Sequence, residues 1–296
     1  MTQQGPAARS RRAWLRPALS VAVSLALLGG LAWRLDLRAI GGLLSSVSPG
    51  WLLVAALLGP PQIALGGLRW ARVSRALGLP LETGEAVAEY GVSTALNQLL
   101  PGGIAGDAVR VVRQRHHGAV RATVAAVVDR ALGLGVLTLV ACGGLGMWAW
   151  QGPPPPTSLV VGVSGLAVVG GGVAASPAGR PLRRALAADG LWLIAASVAL
   201  VLSFVAGFAA ASLAVGLTPS WGLLGVVPLV LLAMAIPLSF AGWGPRELSA
   251  AWLWPMLGAS PEEGVAVAAA YGLSVLLGAL PGLWGLRRRP GISGGS

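Results

Sequence analysis

Six apolar runs, each nearly long enough to cross a bilayer and bounded by arginine, constrain this chain more than any single motif. They cover residues 17–33, 51–68, 122–147, 158–175, 191–215 and 265–286. About 20 apolar residues carry a helix through the hydrocarbon layer, where only helices and closed barrels satisfy their own backbone. Of the 296 residues, 55% are hydrophobic and 10% charged, with a mean hydropathy of +0.75. Soluble domains carry roughly a quarter charged residues. The expected fold is therefore an all-α, polytopic integral membrane protein, with residues 1–296 forming one transmembrane domain.

The basic residues are all arginine, and the net charge of +11 would suggest nucleic acid in a soluble chain. Here the arginines fall between the apolar runs, where they orient the chain in the membrane, so no nucleic-acid partner is expected. The single cysteine, Cys142, allows no intramolecular disulfide. "SRRAWL" before the first run resembles a twin-arginine export signal, but it is followed by no good cleavage site. Arg9, Arg11, Arg12 and Arg16 read instead as a cytoplasmic anchor in residues 1–16.

Two further apolar stretches, 86–100 and 222–237, end in glycine-rich breaks. Treated as re-entrant hairpins, with the N-terminus in the cytoplasm, they send four arginine groups to the same side. These are Arg69, Arg72 and Arg75; the group in 110–121; Arg180, Arg183 and Arg184; and the group in 287–289. Only Arg34 and Arg38 face out, with Asp36 between them. Making either hairpin a full crossing would destroy that asymmetry, so both termini, including the tail 287–296, are expected in the cytoplasm. "GPPQ" at 59–62 should break the second span, because proline offers no N–H to the helix.

The breaks themselves correspond. "PGGIAGDAVR" (101–110) and "PLSFAGWGPR" (237–246) both read Pro, four residues, Gly, three residues, Arg. The first hairpin enters from the cytoplasm and the second from outside. Residues 51–150 and 190–286 thus read as an inverted repeat, with Pro101, Gly102, Gly103 and Gly106 answering Pro237, Gly242 and Gly244. In membrane transporters such paired interruptions point to a substrate site near the midplane. The alternative is that both breaks are ordinary tight turns between short helices.

Charges gather at these breaks. Asp107 and Arg110 share a helix face, Asp129 and Arg130 lie within the run that follows, and Arg246 and Glu247 follow the second break. An ionisable side chain at bilayer depth costs about 2.5–3.5 kcal/mol on insertion scales, so it faces a cavity or a partner. Helix starts with free N–H groups, and arginine nearby, suit a phosphate or another anion. An anionic lipid headgroup is the expected substrate; a small soluble anion satisfies the same chemistry. A structural ion-pair set is the alternative role for these residues. No paired-aspartate metal motif, Ser-His-Asp set or nucleotide loop is present, so no catalysis, cofactor or metal is expected. His116 and His117, in "RQRHHGAVR", read as surface residues near lipid phosphates.

At these residues the chain resembles the lysylphosphatidylglycerol synthase transmembrane family, often called flippase-like. The resemblance rests on "LRW" near Arg72, "NQLLPGGIAGDAVR" (97–110), "VVDRALGL" (127–134) and "IPLSFAGWGPRE" (236–247). It extends over about residues 51–284. The family usually has Glu where Asp129 stands, which keeps an acid beside Arg130. The resemblance implies a lipid-translocating protein of a bacterial or archaeal plasma membrane. It also implies that Asn97, Asp107, Arg110, Asp129, Arg130, Arg246 and Glu247 line the headgroup site. The full synthases add an aminoacyl-transferase domain, for which this chain leaves no room, so synthase activity is not expected. The expectation is a lipid flippase acting on anionic membrane lipids. Alternatives are a non-catalytic subunit or scaffold partnering a lipid- or glycan-modifying enzyme, and a small-anion transporter.

Overall fold

The computed structural model describes residues 6–100, 105–151, 155–235 and 239–287. Pro101, Gly102, Gly103 and Pro237 lie outside these residues. Among the described residues the fold is all-α, with only an isolated antiparallel bridge between Phe240 and Trp243.

Helix α1 (Pro6–Arg34) ends at Asp36, whose Oδ1 accepts from the N–H groups of Arg38 and Ala39. That cap starts α2 (Leu37–Ser45) at 101° to α1. The second span runs from Pro49 to Ala76 and is broken at Leu58 into α3 (Pro49–Leu57) and α4 (Gly59–Ala76). Pro60 and Pro61 cannot donate to the preceding turn. The Ala56 carbonyl on that turn packs against Gly278. The span is longer than the apolar run 51–68, because Arg69, Arg72 and Arg75 belong to the helix and not to a loop. Amphipathic length, rather than hydropathy, sets its end.

Next come α5 (Thr83–Leu99), α6 (Ala105–Gln114), α7 (Ala119–Gln151) and α8 (Thr157–Ala175). Then α9 (Arg180–Val215) kinks at Asp189, where φ is −155° and ψ is 38°. The Asp189 carboxylate lies 2.6 Å from Arg72 Nε, whose guanidinium also stacks 3.6 Å from the Trp192 ring. The chain closes with α10 (Leu223–Met234), α11 (Pro245–Leu253) and α12 (Pro261–Ala279), the last continued by 3-10 turns through Leu280–Arg287. Ser260 and Glu263 cap α12 reciprocally. Among the described residues, five helical segments are long and apolar enough to cross a membrane, or six if α1 and α2 count as one bent span.

Helices α5 and α6 double back on each other. Gln114, at the end of α6, donates to Glu85 at 3.2 Å and to Glu89 at 2.8 Å near the start of α5. The open end of this hairpin shares its side of the bundle with Arg113, which donates to the Gly285 carbonyl. Helices α10 and α11 double back from the opposite side: Gly222 before α10 abuts Leu257 after α11. On that side Ser48 N–H also meets the Ala214 carbonyl, and Asp36 N–H meets Glu262. The first limb of each hairpin packs beyond its own half, α5 against the end of α12 and α10 against α7. Glycine meets glycine at both crossings, Gly91 against Gly282 and Gly144 against Gly225, and again where α4 meets α12, Gly59 against Gly278. Small residues let helix backbones touch where lipid gives no hydrophobic drive to associate.

Candidate functional site

The first break builds a polar cluster from three helices. A Cβ at Gly106 would run into the Ser93 carbonyl, so only glycine lets α6 start this close to α5. Asn97 caps the start, its Oδ1 accepting from Gly106 N–H at 2.8 Å. One turn on, Asp107 and Arg110 pair as their spacing predicts, at 2.5 Å. Asp107 also takes Arg130 at 2.5 Å, and Ser93 Oγ lies 3.4 Å from its Oδ1.

Asp129 is where sequence and structure part. Its expected neighbour in function was Arg130, but consecutive residues on a helix point about 100° apart. Asp129 turns inward, taking Arg69 Nε at 2.9 Å and Arg110 Nη1 at 3.3 Å, while Arg130 turns to Asp107. Arg69 is buried and also donates to Ser197 Oγ of α9 at 3.1 Å. Sequence reading missed Arg69 and Ser197, since an arginine among Arg72 and Arg75 looks like an orientation signal. Trp70, the next residue of α4, is also turned inward. It is fully enclosed beneath Arg110, 4.6 Å from the guanidinium carbon, and Tyr90 lies on the same guanidinium at 5.2 Å.

Glu89 is a further buried acid that the sequence reading passed over. Its carboxylate accepts from Gln114 Nε2 at 2.8 Å and from Trp70 Nε1 at 3.4 Å. Among the described residues no arginine lies within ion-pair distance of it.

The second break is tighter. Gly242 and Gly244 have φ of 81° and 95°, a region closed to most side chains, and between them the chain turns into α11. Glu247 caps that helix through Oε2, which accepts from Gly244 N–H at 2.7 Å. Its Oε1 takes Arg246 Nε at 2.8 Å. Arg246 is entirely enclosed, lies 4.4 Å from the Trp243 ring, and fills the space a Cβ on Gly272 would need. Its Nη2 lies 2.7 Å from the same Glu247 Oε1, whereas among the described residues its Nη1 and the Nε of Arg110 have no hydrogen-bond acceptor. From the lipid side α1 covers this tip: Ser24 Oγ accepts from Phe240 N–H and donates to the Trp243 carbonyl, both at 2.8 Å.

The predicted residues thus fall into two groups. Asn97, Asp107, Arg110, Asp129 and Arg130 converge with Arg69, and Arg246 and Glu247 form a separate pair. Three arginines against two aspartates leave the first group one formal positive charge. In a poorly screened interior such an excess attracts an anion strongly. The two hairpins do not close on each other here: α5 and α10 face one another across a cavity lined by Tyr90 and Gln98 on one side and Leu231 and Met234 on the other.

The family model described as the lysylphosphatidylglycerol synthase TM region matches residues 18–282. Among curated proteins and among solved structures, none matches the chain.

Proposed function

The chain belongs to the lysylphosphatidylglycerol synthase TM-region family, and from that premise we propose that it passes an anionic lipid headgroup across the bilayer. A membrane protein related to lipid modification or flipping is what the family supports; the flippase role is the reading developed here. It is carried by one observation: Arg110 and Arg246, one at each break, are buried, and among the described residues Arg110 Nε and Arg246 Nη1 find no acceptor. Buried donors are normally satisfied, and a phosphate oxygen is the partner that guanidinium geometry fits best.

In this reading residues 51–150 and 190–286 act as an inverted repeat in a plasma membrane, with both termini in the cytoplasm. Arg110 takes the headgroup phosphate from one side, and Arg246 receives it when the second half opens. Asp107, Asp129 and Glu247 hold the guanidinium groups in place between passages. The acyl chains stay in lipid throughout, so only the headgroup needs a protected path. The chain does no bond-breaking chemistry in this scheme.

The test uses the full chain in vesicles containing an acyl-labelled anionic phospholipid, with a membrane-impermeant quencher reporting leaflet exchange. Exchange should be fast with the wild type and absent with Arg110→Ala plus Arg246→Ala. The Arg110→Lys variant keeps the charge without the planar fork and should fall between them. Equal exchange by wild type and the double variant would overturn the proposal. Wild type that moves nothing until a lipid- or glycan-modifying enzyme co-purifies with it would favour the scaffold reading. Movement of free phosphate but not lipid would favour a small-anion transporter.

A further inference from the structure

A polar seam runs along the first hairpin, from its open end to the Arg110 cluster. Glu85, Glu89 and Ser93 are spaced four residues apart on α5, so they share one helix face, and that face meets α6. Glu85 is half-buried at the open end, whereas Glu89 and Ser93 are buried. Ser93 reaches Asp107 of the cluster. Gln114 joins the two glutamates, its Nε2 donating to Glu85 at 3.2 Å and to Glu89 at 2.8 Å. Its side chain is entirely enclosed, yet among the described residues its Oε1 finds no donor. An enclosed acceptor left without a donor is costly. A proton on either glutamate supplies one: the amide, turned over, accepts from the protonated acid and still donates to the other. The seam thus suits one proton more than two ionised carboxylates carry.

Little else holds a charge on Glu89. From α4 it meets the Trp70 indole, which donates at 3.4 Å. The arginines of α4 are engaged elsewhere: Arg69 by Asp129, Arg72 by Asp189, and Arg75 by the Ala71 carbonyl. On α6, Arg110 is taken by Asp107 and Asp129, and Arg113 donates to the Gly285 carbonyl. Arg113 and Glu85 act on Glu89 with opposite sign. Tyr90, its neighbour on α5, lies against Arg110. The ionisable groups of α12 are Tyr271, stacked on Phe208, and Glu262 and Glu263 in its first turn. Residues 280–285, which follow, contribute none.

Charge links this proton to the anion. The Arg110 cluster sets three arginines against two aspartates. The Trp70 indole ties Glu89 to it, its N–H on the carboxylate and its ring 4.6 Å from the Arg110 guanidinium carbon. An ionised Glu89 therefore offsets the one excess positive charge, and a headgroup phosphate would offset the same charge. Both together leave the site negative, and a proton on Glu89 restores the balance. We propose that Glu89 is a proton-binding site coupled to the Arg110 site, so that an anion and a proton enter together. The inference rests on the headgroup-transfer reading above and adds that the step is proton-linked. Linkage is reciprocal: the bound anion tightens the hold of Glu89 on its proton, and that proton raises the affinity for the anion by the same factor. Glu85 meets water at the open end, and Gln114 relays the proton inward.

The experiment is calorimetric titration of the full chain in detergent with a short-chain anionic phospholipid whose phosphodiester stays ionised throughout. The range is about pH 5 to pH 9, which spans the titration of buried carboxyl groups. Repeating each titration in buffers of different ionisation enthalpy counts the protons taken up. Wild type should bind about tenfold more weakly at the top of the range than at the bottom. Coupling of that size takes up roughly half a proton per lipid at the midpoint. Glu89→Gln, uncharged throughout, should show a flat affinity and no uptake, and Glu89→Asp should restore both. Wild type that binds the lipid with no proton uptake at any pH would overturn the proposal, whether or not the variants fold. An uptake that survives unchanged in Glu89→Gln would overturn it too. Failure of the transfer reading looks different: wild type would bind no lipid, or Arg110→Ala plus Arg246→Ala would bind it as tightly, and the proton linkage would fall with that reading.

Discussion

Around Arg110, five charged side chains from α4, α6 and α7 share their partners, whereas Arg246 has one carboxylate, supplied by the residue beside it. Both arginines are buried, so both face the same desolvation cost, but the remedies differ mechanically. The first cluster ties three helices together, and Ser197 extends it to α9. Loss of Asp129 would leave Arg69 without a carboxylate, and loss of Asp107 would do the same to Arg130. The Arg246–Glu247 pair lies on one helix and can travel with it, its charge already balanced. The first half is thus braced through its charges, and the second carries its charge as a sealed unit behind α1.

The largest expected effect tests the brace. Asp129→Ala leaves Arg69 without its carboxylate and Arg110 with only Asp107, and it should destabilise the fold by about 3–5 kcal/mol. Reversible unfolding in detergent would measure it, and Asp129→Glu should recover most of the loss. A cost below about 1 kcal/mol would show that the network does not hold the helices.

A matched pair of glycines sharpens the contrast. At Gly272 a new Cβ would fall on the Arg246 guanidinium, which has no room to retreat, so Gly272→Ala should cost about 1–3 kcal/mol. At Gly133 the same Cβ would sit 3.4 Å from the Arg69 Nη atoms, an ordinary contact. Gly133→Ala should therefore be neutral, or gain up to about 1 kcal/mol from helix propensity. Similar losses at both positions would erase the distinction between a packed and a shared arginine.

Smaller effects probe the edges of each site. Ser24→Ala removes two hydrogen bonds between α1 and the second tip and should cost about 1 kcal/mol. It should also speed the reaction of a thiol introduced at Phe240, since α1 then holds the tip less firmly; unchanged reactivity would argue against α1 as its cover. Smallest of all, Arg130→Ala removes a partly exposed partner while Asp107 keeps Arg110. Its stability loss should stay at or below about 1 kcal/mol, and a loss matching that of Asp129→Ala would place Arg130 inside the brace.

Local features of these sites could be read from the sequence, and long-range ones could not. Asp107 and Arg110 pair because three residues bring them onto one face. The break at Leu58 and the glycine turn before Arg246 follow from proline and glycine chemistry at known positions. The partnership of Arg69 with Asp129 spans 60 residues, and its direction depends on how α4 and α7 roll against each other. Nothing in either segment alone states that angle. For Arg69 the available signal pointed elsewhere, because arginines near a span end usually mark sidedness. Glu89 was the more readable omission, a single acid within the apolar stretch 86–100.

The glycine crossings at Gly59–Gly278, Gly91–Gly282 and Gly144–Gly225 set how one half can move on the other. Interlocked leucines would resist turning in steps, since each knob must leave one hole before entering the next. Where bare backbone lies on bare backbone, no rotamer has to change and no hole opens as the angle shifts. Such a seam behaves as a bearing. One leucine at Gly278 would force the Ala56 turn away and give the joint a tooth, holding the two halves at a fixed angle.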